Sequence, residues 1–367
     1  MVKVGSDFSG VGAFNQALMR LGVDYKEVFA CDMDKYARQT FIENYGEPEY
    51  YPHNVYDREI PDEPLDIYMT SPPCQAFSLA GKRKGEDDNR GILFYNSHEF
   101  IQKNKPRYFI FENVKGLLSD ANGKTFQVWC DMLGGKSING NPVLFSNKDA
   151  APYHIYWKVL NAKDYGVPQN RERVFIVGIR DDKDNHFRWP KPMPLKKRLK
   201  DVLEDDVDEK YYLSEKLLKY MTDMTDRNGF VRGEKFNPLD KKSMYGFAVT
   251  TNAGTRPTDN FIQVKSATKK GYVMAEEGDN INLSHPKSET RRGRVGKEVE
   301  QTLETSCNQG IMLDKYKIRR LTPRECFRLM DFPDTFTWPV SDTQAYKQAG
   351  NSIVVNLLAE IIKKINL

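Results

Sequence analysis

Two adjacent prolines, Pro72 and Pro73, place the tightest local constraint on the fold of this chain. They follow the apolar run 65–69, which the pattern predicts to be a buried strand. Proline fixes φ and lacks a backbone donor, so the pair forces a rigid turn at the strand's end. The turn holds a lone cysteine, Cys74, where open α/β sheets bind ligands. We therefore interpret Cys74 as a candidate nucleophile, with a small buried core cysteine as the alternative.

Residues 1–180 alternate apolar runs with helical patterns, which predicts an α/β fold with a doubly wound sheet. The predicted strands are 2–5, 26–30, 65–69, 107–111 and 173–179, and the predicted helices are 13–21, 34–45, 92–104 and 125–133. The polar, glycine-flanked stretch 81–91 is typical of a mobile active-site lid.

The pattern changes at about residue 186, beside a proline-rich stretch. We predict a first domain over 1–185, a smaller, irregular, β-rich domain over 186–334, and a C-terminal segment over 335–367. Thr322 followed by proline predicts a helix start. An amphipathic pattern from Ile353 to Ile365 predicts a final helix that returns to the first domain and closes its ligand pocket.

Charge and cysteine placement narrow the class of protein. Residues 241–297 hold 11 lysines and arginines against 5 acidic residues, a larger excess than the net +4 of the whole chain. That excess suits a polyanionic partner. The five cysteines form no CxxC pair and the five histidines lack ligand spacing, so we expect neither disulfides nor a metal. Without an 18-residue apolar run or a leader pattern, we expect a cytoplasmic protein without membrane association.

The stretch 7–14 lies between the first predicted strand and the first predicted helix. Its glycines allow a sharp turn and close approach of a ligand at a helix N-terminus, although a simple tight turn is the alternative. Asp32, at the end of the second predicted strand, is placed to accept hydrogen bonds from ribose hydroxyls. The absence of a third glycine favours a nucleoside cofactor such as S-adenosylmethionine over a dinucleotide.

Six motifs then occur in a fixed order: FSGVGAF (8–14), SPPCQAFS (71–78), FENVKGL (111–117), QNRERVF (169–175), RLTPRECFRLMDFP (320–333) and AYKQAGNS (345–352). On these motifs the chain resembles, end to end, the DNA (cytosine-5) methyltransferases of bacteria and phages. The resemblance implies a Rossmann-like methyltransferase sheet with a separate target-recognition domain. It also implies methyl transfer from S-adenosylmethionine to carbon-5 of a flipped-out cytosine, with S-adenosylhomocysteine as product.

The resemblance implies four catalytic residues. Cys74 would attack carbon-6 of the cytosine and form a covalent adduct, and Glu112 would donate a proton or hydrogen bond near ring nitrogen-3. Arg171 and Arg173 alternate on one predicted strand and so face the same side. One of them would bind the cytosine carbonyl oxygen, with Arg173 nearest the base, while Asn113 would orient the proline turn. A surface salt bridge is the alternative for Glu112, and an exposed strand edge for the arginines.

Other residues follow from the same resemblance. Around the cofactor it implies Phe8, Ser9, Gly10, Val11, Gly12, Asp32, Met33, Asn54, Val55, Pro73, Leu93, Asn351 and Ser352. Asn54 stands where many relatives have aspartate against the adenine amino group, so we expect weaker discrimination of that group and not lost binding. Met33 stands where some relatives have tryptophan and would be a softer apolar cover. Expected DNA contacts are Gln75, Ser78, Lys82, Arg83, Lys84, Arg291, Arg292, Arg294, Thr302 and Leu303. Whether the arginines read guanines or neutralise phosphates stays open.

Two alternatives remain at this stage. A tRNA cytosine-5 methyltransferase shares the catalytic motifs, but the large basic region favours double-stranded DNA as the partner. A non-catalytic DNA-binding relative would typically lose the nucleophile or the glutamate, and this chain retains both. The family default is a monomer, and relatives in restriction-modification systems have a cognate restriction endonuclease as a partner.

Overall fold

A computed structural model describes residues 1–73, 92–182, 186–212, 262–265, 272–275, 278–283, 293–303, 305, 309–314 and 317–365. In the first half of the chain the strands are β1 (Val2–Asp7), β2 (Tyr25–Cys31), β3 (Ile67–Thr70), β4 (Tyr108–Val114), β5 (Ser137–Ile138), β6 (Asn141–Pro142), β7 (Tyr153–Asn161), β8 (Gln169–Asn170) and β9 (Glu172–Arg180). All five predicted strands are confirmed, and β7 is a nine-residue strand that the sequence pattern did not predict.

Eight of these strands form one central sheet in the order β2-β1-β3-β4-β9-β7-β5-β6. The strands from β2 to β4 are parallel, so their carboxyl ends meet at one edge. β9 runs antiparallel to both β4 and β7. The parallel half is where a doubly wound sheet binds its ligand.

The described helices are α1 (Ala13–Arg20), α2 (Lys35–Tyr45), α3 (Ile92–Asn104), α4 (Lys124–Leu133), α5 (Pro323–Leu329), α6 (Asp342–Asn351) and α7 (Val355–Ile362). Short 3₁₀ helices span Lys115–Gly123, Ala162–Asp164, Leu199–Val202 and Glu209–Tyr211. The four helices predicted before residue 134 are confirmed, and so is the final helix. Thr322 caps α5 by accepting a hydrogen bond from the Glu325 amide at 3.2 Å, with Pro323 in the first turn, as its sequence predicts.

Helices cover both faces of the sheet, which confirms the doubly wound architecture. On one face, α1, α5 and α7 bury Leu18, Phe327 and Leu358 in a single apolar cluster. On the other face, α3 and α4 bury Phe100 and Trp129. In the described part of the chain no helix is long and apolar enough to span a membrane.

The C-terminal segment is tied to the first 45 residues by polar contacts as well as by apolar packing. Gln348 on α6 accepts from the Thr40 hydroxyl at 3.0 Å and donates to the Tyr36 carbonyl at 2.9 Å. Beside it, Lys347 forms an ion pair with Asp34 at 2.6 Å. α6 therefore packs against α2 and contributes to the wall of the ligand cavity, while the division into domains stays a prediction.

In the region after residue 186, the described stretch 186–212 contains two short 3₁₀ helices, and short strands follow from residue 262. They are β10 (Ile262–Lys265), β11 (Tyr272–Ala275), β12 (Asn280–Asn282), β13 (Val295–Gly296), β14 (Glu300–Gln301), β15 (Gln309–Asp314) and β16 (Lys317–Arg320). β13-β12-β15-β16 form one sheet, and β14 pairs with β8. This agrees with a smaller β-rich unit. Its boundary at 334 stays a prediction, since α5 belongs to the apolar cluster beneath the main sheet.

One carboxylate lies within the edge of the main sheet. Glu27 on β2 is partly buried, and its Oε1 accepts a hydrogen bond from Asn15 Nδ2 on α1 at 3.0 Å. Burial raises the pKa of Glu27 to about 7. The group is therefore a source of pH-dependent stability within the fold.

Candidate active site

The loop between β1 and α1 has a left-handed backbone at three of its five residues. Phe8, Gly10 and Gly12 have φ values of 58°, 56° and 83°. Glycine adopts this conformation freely, whereas at Phe8 it is strained, as is common at ligand sites. At Gly12 a Cβ would lie 2.2 Å from the Tyr45 ring, so this glycine allows the loop to pack closely on α2.

Asp32 holds this loop from the neighbouring strand end. Its Oδ2 accepts from the Gly10 amide at 2.8 Å, and its Oδ1 accepts from the Asp34 amide at 2.8 Å. Each carboxylate oxygen can accept a second hydrogen bond, so both retain capacity toward a ligand. Burial raises the pKa of Asp32, while these two amides oppose the shift by stabilising the carboxylate.

A cavity of about 920 Å³ opens at the carboxyl ends of the parallel strands. Its size lies in the range of small-molecule sites. Twelve of the thirteen predicted cofactor residues line it: Phe8, Ser9, Gly10, Val11, Asp32, Met33, Asn54, Val55, Pro73, Leu93, Asn351 and Ser352. Gly12 does not. Glu112, Arg171 and Arg173 line the same cavity, so it joins the predicted cofactor residues to three of the four predicted catalytic ones.

Met33 and Asn54 are both exposed and both line the cavity. Met33 is 85% exposed on the cavity wall, which leaves its thioether side chain available to cover an aromatic ring. Asn54 Oδ1 accepts from the Tyr56 amide at 3.0 Å and so closes a local turn. One lone pair of that oxygen remains for a ligand amino group.

Glu112 and Arg173 face each other across β4 and β9. The Glu112 carboxylate is almost buried and lies 3.1 Å from Arg173 Nε. Burial raises the pKa of Glu112, and the charges of Arg173 and Arg171 oppose that shift. The carboxyl is therefore held nearer to protonation than an exposed glutamate, which suits a proton donor inside a cavity.

Arg171 has a different environment, in the break between β8 and β9. Its Nη1 donates to the Leu303 carbonyl at 3.2 Å, and its Nη2 donates to the Gly350 and Ser352 carbonyls at 2.9 and 2.8 Å. Two of its nitrogens are thus engaged by backbone. The prediction that both arginines lie at one site agrees with their shared cavity, but Arg171 joins chain segments while Arg173 pairs with Glu112.

Asn113 fixes the proline turn. Its Nδ2 donates to the Pro72 carbonyl at 3.1 Å, and its Oδ1 accepts from the Val114 amide at 2.8 Å. The predicted orienting role agrees with these contacts, although they are made with Pro72 and not with Pro73. Because Pro73 precedes Cys74, this bond fixes the backbone that leads into the predicted nucleophile.

The described part of the recognition region packs against the catalytic sheet. Thr302 Oγ1 donates to the Asn170 carbonyl at 2.9 Å, and the Leu303 amide donates to Gln169 Oε1 at 3.2 Å. Arg294 is only 1% exposed and donates to the Asn282 carbonyl at 3.3 Å, so its side chain lies inside the small sheet and not on a DNA-facing surface. The other predicted catalytic and DNA-contacting residues lie outside the described residues: Cys74, Gln75, Ser78, Lys82, Arg83, Lys84, Arg291 and Arg292.

Sequence reasoning missed a buried ion pair beneath the cavity. Arg58 Nε lies 2.9 and 3.1 Å from the two oxygens of Asp7, and the Tyr68 hydroxyl donates to Asp7 Oδ2 at 2.5 Å. The guanidinium also stacks over Phe100 at 4.5 Å. The position of Asp7 directly before the glycine loop could have marked it as a residue near the ligand site. Arg58 carries no such signal, because its partner is 51 residues away.

Three cysteines in the described part of the chain are buried thiols: Cys31, Cys130 and Cys326. Burial raises the pKa of Cys31 and of Cys130 to about 12. Although Cys31 lines the cavity, such a thiol is almost fully protonated near neutral pH and is a poor nucleophile.

Comparison with known proteins identifies the family to which the chain belongs. Residues 2–367 match the C-5 cytosine-specific DNA methylase family, which is nearly the full length of the chain. The chain belongs to the C-5 cytosine-specific DNA methylases. It is a DNA (cytosine-5) methyltransferase that uses S-adenosylmethionine and acts on DNA, as the ordered motifs predicted.

Bacterial and phage members resemble this DNA methylase over nearly its whole length. The orphan methyltransferase M.SPRI of Bacillus phage SPR is 32% identical, with 99% of this chain and 97% of the relative covered. The type II methyltransferase M.HhaI of Haemophilus parahaemolyticus is 31% identical, with 96% and 91% covered. The type II methyltransferase M.SsoII of Shigella sonnei is 34% identical, with 98% and 78% covered.

Solved structures support the same fold. The S. pombe Dnmt2 methyltransferase has a TM-score of 0.60 at 19% identity, with 99% of this chain and 97% of that chain covered. A putative DNA modification methyltransferase from an E. coli prophage has a TM-score of 0.61 at 21% identity, with 99% and 98% covered. At these identities the likeness establishes the architecture of the DNA methylase alone.

Proposed function

We propose that this DNA methylase acts through a covalent adduct between Cys74 and carbon-6 of a flipped-out cytosine. The observation that carries the proposal is the shared cavity. It is lined by the glycine loop, by the Glu112–Arg173 pair and by Pro73, the residue before Cys74. A nucleophile at residue 74 would therefore be attached next to both the proton donor and the cofactor loop.

The chain's own residues fit an adenosyl cofactor. The Asp32 carboxylate, which retains acceptor capacity, would hold the ribose hydroxyls, and Phe8 and Met33 would cover the adenine. Asn54 and Val55 would line the edge of the base, and the segment 350–352 would border the methionine part. When bound there, S-adenosylmethionine supplies an electrophilic methyl group.

The protein's contribution to the reaction begins with the thiolate. An ordinary thiol is only about 3% ionised near neutral pH, so attack needs a stabilised developing charge. As the Cys74 sulfur bonds to carbon-6, negative charge moves into the pyrimidine ring, and Glu112 donates its proton at nitrogen-3. Arg173 would bind the cytosine carbonyl oxygen while it orients Glu112.

This adduct makes carbon-5 nucleophilic enough to accept the methyl group. Methyl transfer leaves S-adenosylhomocysteine as the product. A water molecule then takes the carbon-5 proton, and the nitrogen-3 proton returns to Glu112. Cleavage of the bond between sulfur and carbon-6 restores the aromatic ring and releases the Cys74 thiolate.

Flipping the cytosine out of the duplex costs a few kcal/mol. We propose that Ser78, the predicted loop 81–91 and the segment around Thr302 and Leu303 offset that cost by contacts with DNA. We also propose that the enzyme acts as a monomer on a short duplex sequence.

The test uses the purified protein, tritiated S-adenosylmethionine, plasmid DNA and, in parallel, tRNA. We expect label in DNA, and bisulfite sequencing should locate it at one short motif. Label in tRNA alone would refute DNA as the substrate.

A second measurement tests the nucleophile. With S-adenosylmethionine present, wild type should form a denaturation-resistant adduct with 5-fluorocytosine DNA, because after methyl transfer carbon-5 carries fluorine in place of the proton that must leave. Cys74→Ser should form none while still binding DNA. Cys130→Ala removes a buried thiol outside the cavity and serves as the matched control. Methyl transfer by Cys74→Ser at the wild-type rate would refute the adduct.

A further inference from the structure

Gln169, Asn170 and Arg171 form a bridge between two parts of the chain that lie far apart in sequence. We call these three residues the 169–171 bridge. On one side they contact segment 300–303 of the recognition region, and on the other they contact segment 350–352 of the cavity wall. The catalytic scheme above uses none of these contacts.

The 169–171 bridge contacts segment 300–303 through side-chain hydrogen bonds and through strand pairing. The Leu303 amide donates to Gln169 Oε1 at 3.2 Å, and the Leu303 carbonyl accepts from Arg171 Nη1 at 3.2 Å. Thr302 Oγ1 donates to the Asn170 carbonyl at 2.9 Å. β14 also pairs in parallel with β8, matching Glu300 with Gln169 and Gln301 with Asn170. The segment therefore cannot move without the bridge.

The 169–171 bridge contacts the cavity wall through the guanidinium of Arg171. Arg171 Nη2 donates to the Gly350 carbonyl at 2.9 Å and to the Ser352 carbonyl at 2.8 Å. Asn351 and Ser352 line the ligand cavity. Arg171 is only 2% exposed, so water has little access to replace a broken bond. The guanidinium is also planar and rigid, which makes the positions of its acceptors on the two segments interdependent.

We infer that the 169–171 bridge couples DNA binding to cofactor binding, with Arg171 as the positioning residue that carries the coupling. The inference rests on the proposed function, in which segment 300–303 belongs to the part of the chain that contacts DNA. DNA that fixes this segment also fixes Arg171, and Arg171 then holds segment 350–352 in its ligand-binding position. When DNA binds first, segment 350–352 is therefore already in place for the cofactor. When the cofactor binds first, segment 300–303 is likewise already in place for DNA.

Such coupling has a measurable size and must be reciprocal. Coupling between two sites typically changes affinity by about 5- to 150-fold. We expect S-adenosylhomocysteine to bind wild type at least about fivefold more tightly when a cognate duplex is present. The same factor must describe the gain in duplex affinity when S-adenosylhomocysteine is added.

Arg171→Lys should reduce this factor to near one, because an ammonium group cannot reach acceptors on both segments at once. Gln169→Met, which removes the bond from the Leu303 amide but keeps the side-chain length, should reduce it in the same direction. Because Arg171 itself lines the cavity, the decisive quantity is the ratio of the affinities for S-adenosylhomocysteine with and without DNA, and not either affinity alone. Arg180→Lys is the matched control, since Arg180 is the last residue of β9, the strand that begins after Arg171, and lies outside the cavity.

Calorimetric titration of S-adenosylhomocysteine into each protein, with and without a duplex bearing the motif found by bisulfite sequencing, tests the inference. Variants that unfold like wild type in urea yet keep the wild-type coupling factor would overturn it. A factor of one in a wild type that methylates DNA would overturn it too, and would leave the proposed function intact. If Arg171→Lys does not fold, Gln169→Met decides the question. Wild type that transfers no methyl group to DNA contradicts the proposed function, and with it the inference.

Discussion

Replacing Glu27 with glutamine should stabilise the protein at neutral and alkaline pH. Burial disfavours the carboxylate and raises the pKa of Glu27 in the folded protein to about 7, from the ordinary glutamate value of 4.5. Between these two values the folded protein binds more protons than the unfolded chain, so stability falls as pH rises. The difference of about 2.5 pH units, at 1.36 kcal/mol each, corresponds to about 3 kcal/mol lost once the pH exceeds about 7.

Glutamine keeps an oxygen that can accept from Asn15, but it cannot ionise. Glu27→Gln should therefore match wild type near pH 4.5 and exceed it by up to about 3 kcal/mol at pH 8. Urea unfolding followed by tryptophan fluorescence at pH 5, 6, 7 and 8 gives the difference at each pH. The same change at exposed Glu47 is the control and should give a small, nearly constant difference. A difference between Glu27→Gln and wild type that does not grow from pH 5 to pH 8 would refute the reasoning.

Three further outcomes follow from the site. Glu112→Gln should lower kcat by about 10²- to 10⁴-fold through loss of the proton donor, while calorimetry should show unchanged affinity for S-adenosylhomocysteine. The control Glu172→Gln, which changes a surface residue nearby, should retain kcat. Equal losses of kcat in the two variants would contradict the assignment of Glu112. Arg58→Met should destabilise the fold by about 3–5 kcal/mol in urea because it leaves Asp7 buried and unpaired, and adding Asp7→Leu should recover most of that loss. Asn54→Asp should tighten S-adenosylhomocysteine binding severalfold, since a carboxylate accepts more strongly from an amino group; an unchanged Kd would place the adenine elsewhere.

The sequence predicted the parallel half of the sheet because its strands and helices are local patterns. β7 was not predicted although Tyr153, Ile155, Trp157 and Val159 recur at every second position, as in a strand with one apolar face. Only three of its nine residues are buried. What defines β7 is its pairing with β9, which lies later in the chain.

In the candidate site, too, local sequence patterns could be predicted and contacts between distant segments could not. Motifs located most of the cavity wall, since each motif is contiguous and follows a strand. They did not reveal what Arg171 does, because its three acceptors lie 132 to 181 residues away. Gly12 belongs to a cofactor motif, yet its constraint is the Tyr45 ring on α2, which only the packing shows. Arg294 looked like a DNA contact because it stands in a basic run, whereas the fold places it inside a small sheet.

The return of α6 and α7 to the first strands sets the order in which a nascent chain gains its activities. β1, α1 and the glycine loop leave the ribosome first, but Gln348, Asn351 and Ser352 of the cavity wall come some 300 residues later. At about 5–20 residues per second, that interval is on the order of 15 to 60 seconds. During it the recognition region is synthesised while the cofactor pocket still lacks one wall. A growing chain is therefore expected to touch DNA before it can methylate it.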